Sequence, residues 1–376
     1  MYISDKATLD AFCERAKRAK VIAVDTEFIR ERTYHPKLCL VQVATADETT
    51  AIDPLLIEDL SSLCDLLVDE GITKVFHACA QDLEVLRDAL GCVPSPIFDT
   101  QIAAAFLGRR HQIGYGALVE SFCGVRLPKA AALTDWSLRP LDEEQIRYAE
   151  DDVAYLPGIY DQMVTELVKL DRLSWLGPEM DAMAESVRTV RDPREAFRRL
   201  KRSSSLTRRQ LAVAREVCAW REKMAERKNV PRKWVVSDEV LVETCKALPR
   251  SVNALRRIRG TEQLSNRAAS ELVEAIARGV RCDATELPTI VRRDHPSVEM
   301  QGVLDLMYAL LRIISEKSGI ATQLIGSRDD LYDLILNRKD ARLATGWRYE
   351  VAGDELNKLI NGEVGLTVKD GHIQLL

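Results

Sequence analysis

The chain of 376 residues is 46% hydrophobic and 30% charged, a composition that fits a folded globular protein with two or three domains. No apolar run reaches the ~18 residues of a membrane span, and the N-terminus lacks the charged-then-apolar layout of a signal peptide. Nine scattered cysteines without a Cys-x-x-Cys point to reduced thiols in a cytoplasmic protein, against a disulfide framework or a zinc site.

The net charge of −5 conceals an asymmetry: residues 1–170 carry −11 and residues 191–280 carry +11. An acidic module is followed by a basic one suited to polyanions.

Residues 1–20 read as a short helix with a basic end. Val21-Ile22-Ala23-Val24-Asp25-Thr26-Glu27-Phe28 has the composition of a buried strand. Its period of two places Asp25 and Glu27 on one face. Two carboxylates held there repel each other, and a hard divalent cation with oxygen ligands relieves that. A polar connection with Tyr34, His35 and Pro36 leads to strands over 38–44 and 49–52, an antiparallel meander. A helix is expected over 60–67. A strand over 74–77 runs into a helix with Leu83, Leu86 and Leu90 on its apolar face and Asp82 in its first turn. Asp99 ends a further strand and is expected to cap the next helix. After Pro140 a helix runs to at least Tyr155, with Tyr148 and Asp152 four residues apart on one face. Asp151, three residues from Tyr148, fits the geometry too. The alternation of strands and helices predicts an α/β domain with a mixed sheet and flanking helices.

From Met180 to Arg202 a helical linker turns basic and ends in Arg198-Arg199-Leu200-Lys201-Arg202-Ser203-Ser204-Ser205. Helices follow over 207–227, 238–246, 252–258 and 266–278, with turns at Pro231, Pro249 and Gly260. A second linker spans 288–296, and helices over 298–317, 329–336 and 354–361 outline another unit. The two helical units share length and layout, as a diverged tandem repeat would.

Asp25, Glu27, Asp82 and Asp152 are four carboxylates from a strand, a helix start and a later helix. Gathered at one point they suit two divalent ions and phosphodiester cleavage by in-line displacement. No histidine or cysteine cluster offers competing chemistry. Tyr148 stands where it could hydrogen-bond the attacking water.

Val24-Asp25-Thr26-Glu27-Phe28, His77-Ala78-Cys79-Ala80-Gln81-Asp82-Leu83-Glu84, Phe98-Asp99-Thr100-Gln101 and Tyr148-Ala149-Glu150-Asp151-Asp152-Val153 resemble the exonuclease motifs of the DEDD superfamily in its tyrosine branch. The likeness is to the ribonuclease D family and covers essentially the whole chain. Residues 211–281 resemble the helicase-and-RNase-D C-terminal (HRDC) domain, and the last unit looks like a degenerate second copy.

The resemblance implies a ribonuclease-H-like exonuclease domain over 1–190, a basic HRDC domain over 206–285 and an HRDC-like domain over 296–376. It implies 3′→5′ hydrolysis of RNA to nucleoside 5′-monophosphates, with tRNA precursors carrying 3′ extensions as substrates. Asp25 would bridge two ions, Glu27 and Asp152 would hold the water-activating ion, and Asp82 the ion at the leaving 3′ oxygen. Tyr148 would orient the nucleophile, and the four-residue spacing selects Asp152 over Asp151. The ions are Mg²⁺ or Mn²⁺, which an all-oxygen site independently favours. Neither a membrane nor an obligate protein partner is implied.

One stretch departs from the family: Ala130-Ala131-Ala132-Leu133 is apolar where relatives commonly carry polar or basic residues. Lys129 and Trp136 flank it as candidate RNA contacts, Trp136 with a structural role as the alternative. In the basic unit Arg208, Arg209, Lys228, Arg232, Lys233, Arg256, Arg257 and Arg259 are candidate phosphate contacts. Other readings are a DNA-directed exonuclease of the same superfamily and a non-catalytic RNA-binding protein on an inactive nuclease scaffold. An acidic calcium-binding or structural protein would leave the basic unit unexplained.

Overall fold

The computed structural model describes residues 1–128, 135–189, 192–288 and 296–376. Lys129, the apolar stretch Ala130–Leu133 and most of the second linker lie outside the described residues. The chain forms two compact units. The first comprises Met1–Glu27, Leu38–Arg188 and Asp294–Leu376, and the second Phe28–Lys37 and Thr189–Arg293.

The first unit is built on six strands: β1 (Tyr2–Ile3), β2 (Val21–Ile29), β3 (Lys37–Ala44), β4 (Thr49–Ile52), β5 (Thr73–Phe76) and β6 (Ile97–Asp99), in the order β1-β4-β3-β2-β5-β6. β3 and β4 are antiparallel, whereas β1 with β4, β2 with β5 and β5 with β6 are parallel, so the sheet is mixed as expected. β1 is a strand where a helix alone was expected; two residues are too few for an alternating pattern. Ile22, Ala23 and Val24 are fully buried, because β2 lies inside the sheet and is covered on both faces.

The flanking helices are α1 (Lys6–Ala16), α2 (Ser61–Val68), α3 (Ala80–Leu90), α4 (Thr100–Phe106), α5 (Tyr115–Cys123), α6 (Glu143–Ala154), α7 (Leu156–Lys169) and α8 (Leu173–Arg188). α6 opens with a capping box between Asp142 and Gln145, which satisfies two otherwise unpaired N–H groups.

The second unit holds α9 (Arg208–Lys228), α10 (Arg232–Val235), α11 (Asp238–Ala247), α12 (Val252–Leu255) and α13 (Asn266–Val280) around a core including Phe197, Trp220, Leu241 and Leu272. α13 crosses α9 at Gly279, where a Cβ would stand 2.4 Å from Val213 Cα; only glycine permits that approach. Within this unit Tyr34 Oη donates to Glu222 Oε2 at 2.9 Å, and Asn229 Oδ1 accepts from Tyr34 N at 3.1 Å.

The C-terminal segment adds α14 (Val298–Ser318), α15 (Thr322–Ile325), α16 (Arg328–Ile335), α17 (Gly346–Arg348) and α18 (Asp354–Ile360), then a hairpin of β7 (Leu366–Lys369) and β8 (His372–Leu375). The hairpin was not expected. This segment belongs to the same compact unit as the sheet. Trp347 stacks on Trp175 with centroids 5.7 Å apart and meets Phe106 edge-on at 4.8 Å. Arg172 donates to the carbonyls of Phe106 and Ser318 at 2.7 and 2.6 Å. All nine cysteines are free, and no described helix is long and apolar enough to cross a membrane.

Candidate active site

At the end of β2 the burial alternates: Asp25 and Glu27 keep some exposure, whereas Thr26 between them is 6% exposed. Thr26 Oγ1 donates to Asp82 Oδ1, which ties the strand to the first turn of α3. Asp99 fixes that turn from the other side. Its Oδ1 accepts from Gln101 N at 2.8 Å, capping α4 as expected, and from Ala78 N at 3.2 Å, while its Oδ2 accepts from Cys79 N at 2.9 Å. Ala78 sits at φ 62°, a left-handed conformation that costs a non-glycine residue roughly 1 kcal/mol. The two Asp99 bonds offset that cost and aim α3 so that Asp82 faces β2. On α6, Tyr148 and the Asp152 carboxylate lie close enough to act on each other's titration, and Tyr115 Oη donates to the Asp151 carbonyl at 2.7 Å.

The four carboxylates share one electrostatic environment. Burial, then the charges of Asp82, Asp152 and Glu27, push the Asp25 carboxyl well above the usual carboxylate range. Burial followed by Asp152 and Asp82 raises Glu27 to about 8. Asp82 and Asp152 rise to about 6, mainly through burial, with the hydrogen bond from Thr26 and the nearby Tyr148 hydroxyl opposing the rise. Burial, Asp152 and Glu27 raise the Tyr148 phenol. Burial among one another disfavours the charged forms of these side chains, and a hard divalent cation would supply the missing counter-charge. Among the described residues no three His, Cys, Asp or Glu side chains are closed into a cage that would hold a metal by themselves.

Asp151 adds to the rise of Asp152, but beyond burial its own carboxyl responds to Arg147 and Glu150, and its backbone carbonyl is committed to Tyr115. Trp136 is 8% exposed, with its ring centroid 6.1 Å from that of Tyr148, so little of the ring is free for a base. Arg208, Arg209, Lys228, Lys233, Arg257 and Arg259 lie exposed on the second unit. Arg232 Nη1 is paired with Glu222 Oε1 at 3.1 Å. Arg256 turns inward: it donates to the carbonyls of Thr261, Glu262 and Leu264 at 2.6–2.8 Å. Those bonds fix the turn before α13 and leave it a poor phosphate contact, a correction to the sequence expectation.

Three residues escaped sequence reasoning. Thr26 was hidden by its alternation partners. Tyr115 carries no spacing signal, because its partner is a carbonyl 36 residues away. Trp234 is 53% exposed beside Arg232 and Lys233; an aromatic among basic residues was the available signal.

A family described as 3′-5′ exonuclease matches residues 1–168, and the HRDC domain family matches residues 210–276. The chain is 41% identical to ribonuclease D of Sphingobium indicum over 99% of its own length and 97% of that protein's. It is 39% identical to ribonuclease D of Zymomonas mobilis over 99% and 97%. Among solved structures it is similar to Escherichia coli RNase D, an exoribonuclease involved in structured RNA processing, with a TM-score of 0.84, 31% identity and coverage of 96% and 98%. The chain belongs to the ribonuclease D family of 3′→5′ exoribonucleases.

Proposed function

We propose that the chain trims RNA from the 3′ end with two divalent ions, Mg²⁺ or Mn²⁺, held by Asp25, Glu27, Asp82 and Asp152, and that tRNA precursors with 3′ extensions are among its substrates. The observation that carries this reading is the mutual electrostatic influence of four carboxylates from β2, α3 and α6, with Tyr148 beside the last of them. When bound, the ions lower the pKa of the attacking water and neutralise charge on the phosphate and the leaving 3′ oxygen.

The chain's own residues do the rest. Asp25, which feels the charges of all three other acids, would serve both ions. Glu27 and Asp152 would hold the ion that activates the water, and Asp82 the ion at the leaving 3′ oxygen. With its pKa raised, Tyr148 keeps its proton at neutral pH and works as a hydrogen-bond donor that orients the nucleophile, not as a base. Water attacks phosphorus, the P–O3′ bond breaks, and a nucleoside 5′-monophosphate leaves an RNA shortened by one residue.

The exposed arginines and lysines of the second unit, with Trp234, supply the grip on phosphates and bases that an acidic site lacks. We read 206–285 as an HRDC domain and 296–376 as a degenerate copy. Both open with a 21-residue helix, continue with a four-residue helix, and start their third helix on a serine cap, Ser237 and Ser327. Nine free thiols fit a cytoplasmic protein.

The test is a time course on 5′-labelled RNA with an unpaired 3′ end, beside the matched DNA, with Mg²⁺, Mn²⁺ or chelator. A metal-dependent ladder shrinking from the 3′ end of RNA and lost in Asp25→Asn is expected. Faster trimming of the DNA, or retention of RNA without cleavage, would replace the reading with one of its competitors.

A further inference from the structure

Just before α6 lies Asp135–Pro140, a short loop held by a network that touches none of Asp25, Glu27, Asp82 and Asp152. Arg139 is its centre. Its Nη1 donates to the carbonyls of Trp136 and Leu138 at 2.8 and 2.7 Å, its Nη2 to the carbonyl of Cys39 and to Asp53 Oδ1 at 2.7 and 2.9 Å, and its Nε to Asp53 Oδ2. All five guanidinium N–H groups are thereby used. Asp53 is 0% exposed and also accepts from Tyr2 Oη and from Leu55 N at 2.9 Å. A fully satisfied, buried, charge-assisted network fixes geometry tightly.

The loop it fixes presents a single large side chain inward. Trp136 is 8% exposed, and its ring lies 6.1 Å from that of Tyr148 with the planes inclined at 31°. Tyr148 neighbours the Asp152 carboxylate, whose charge helps raise its pKa. A phenol carried on a helix has freedom about χ1 and χ2 unless its ring is packed. The indole removes that freedom, and the Arg139–Asp53 pair holds the indole by its backbone.

We infer that Trp136, held by Arg139 and Asp53, is a positioning residue for Tyr148: it sets the ring so that the hydroxyl meets the nucleophile, and it contacts neither metal nor RNA. The inference rests on the role proposed above for Tyr148. Displacing a positioned group by about 1 Å can cost up to ~10²-fold in rate, so the effect belongs in kcat and not in substrate binding.

The experiment is a double-mutant cycle on the full chain with a single-stranded RNA and saturating Mn²⁺. Trp136→Leu keeps the site apolar. It should lower kcat by about tenfold with KM for RNA changed by less than about twofold, and should lower kcat by less than about twofold in a Tyr148→Phe background, because residues that act through one another are not additive. Asp53→Asn should show the same pattern more weakly, which keeps the test open if the tryptophan variant does not fold. An equal loss in both backgrounds overturns the positioning role, as does a rise in KM with kcat intact, which would mark Trp136 as an RNA contact. Tyr148→Phe at full wild-type rate would overturn the role of the tyrosine and with it this inference, a result distinct from additivity.

Discussion

Glu179 on α8 and Arg348 at the end of α17, 169 residues apart in the chain, form a forked ion pair: both guanidinium nitrogens donate to the carboxylate, Nη2 to Oε2 at 3.1 Å. Trp347 Nε1 adds a third bond to Oε1 at 3.0 Å. The Arg348 side chain is 8% exposed and that of Glu179 is 21% exposed, so the pair is shielded from salt. Beside it run the Trp175–Trp347 stack and the Arg172 bonds. The C-terminal segment is thus built into the exonuclease unit through a polar clasp set in aromatic packing.

Glu179→Gln should therefore lower the stability of the whole unit by about 3 kcal/mol, the usual cost of stripping one partner from a buried pair. Burial alone would raise the Glu179 pKa, and the bonds from Arg348 and Trp347 outweigh it and hold the pKa below the ordinary glutamate range. A lowered folded pKa gives stability that is present above the unfolded value and lost as pH falls through the folded one. The gap in melting temperature between wild type and Glu179→Gln should accordingly be widest near neutral pH and shrink in acid. A gap independent of pH would mean that packing, not charge, does the work.

The carboxylate cluster makes the opposite prediction. Each of its acids has a raised pKa, so ionising them costs stability, and the cost grows as pH rises toward about 8, the value for Glu27. At pH 8 in chelator, Asp25→Asn should melt above the wild type; with Mn²⁺ present it should cleave roughly 10³-fold more slowly than the wild type, about 4 kcal/mol of transition-state stabilisation. Mn²⁺ should raise the melting temperature of the wild type far more than that of the variant. Asp151→Asn should cleave within about threefold of wild type, since beyond burial its carboxyl responds to Arg147 and Glu150. Equal losses in the Asp151 and Asp152 variants would show that the spacing argument chose wrongly between them.

How much of this the sequence carried depended on the reach of each interaction. Asp25 with Glu27 and Tyr148 with Asp152 are pairs within one element, so the periods of two and 3.6 residues expose them directly. Asp82 was legible as the first turn of a helix, whereas its bond to Thr26 joins two elements and left no trace in spacing. β1 and the β7–β8 hairpin, strands of two to four residues, are too short for alternation to register. The C-terminal segment read as a second helical unit, and its helices are there. That Glu179 waits on α8 for Arg348 is a fact of tertiary structure that no local pattern states. Arg256 shows the converse error: one basic residue in a basic stretch looks like its neighbours until its carbonyl partners are seen.

The second unit offers a separation of charge from stacking. Arg208 and Arg209 are exposed at the start of α9, and Trp234 is 53% exposed on α10. If both arginines meet phosphates, the double substitution to glutamine should weaken RNA binding and reduce the slope of log K against log salt by about 1.4, since each single-strand phosphate contact contributes about 0.7. Trp234→Ala should weaken binding by about 1–3 kcal/mol, the worth of one base stack, and leave the slope unchanged because no counterion is released. Arg256→Gln should instead lower the melting temperature, with affinity falling only as folding does. Filter binding across a salt series, with Asp25→Asn to prevent cleavage, separates these outcomes. A slope that changes with Trp234, or one indifferent to Arg208 and Arg209, would move the RNA path to another face of this unit.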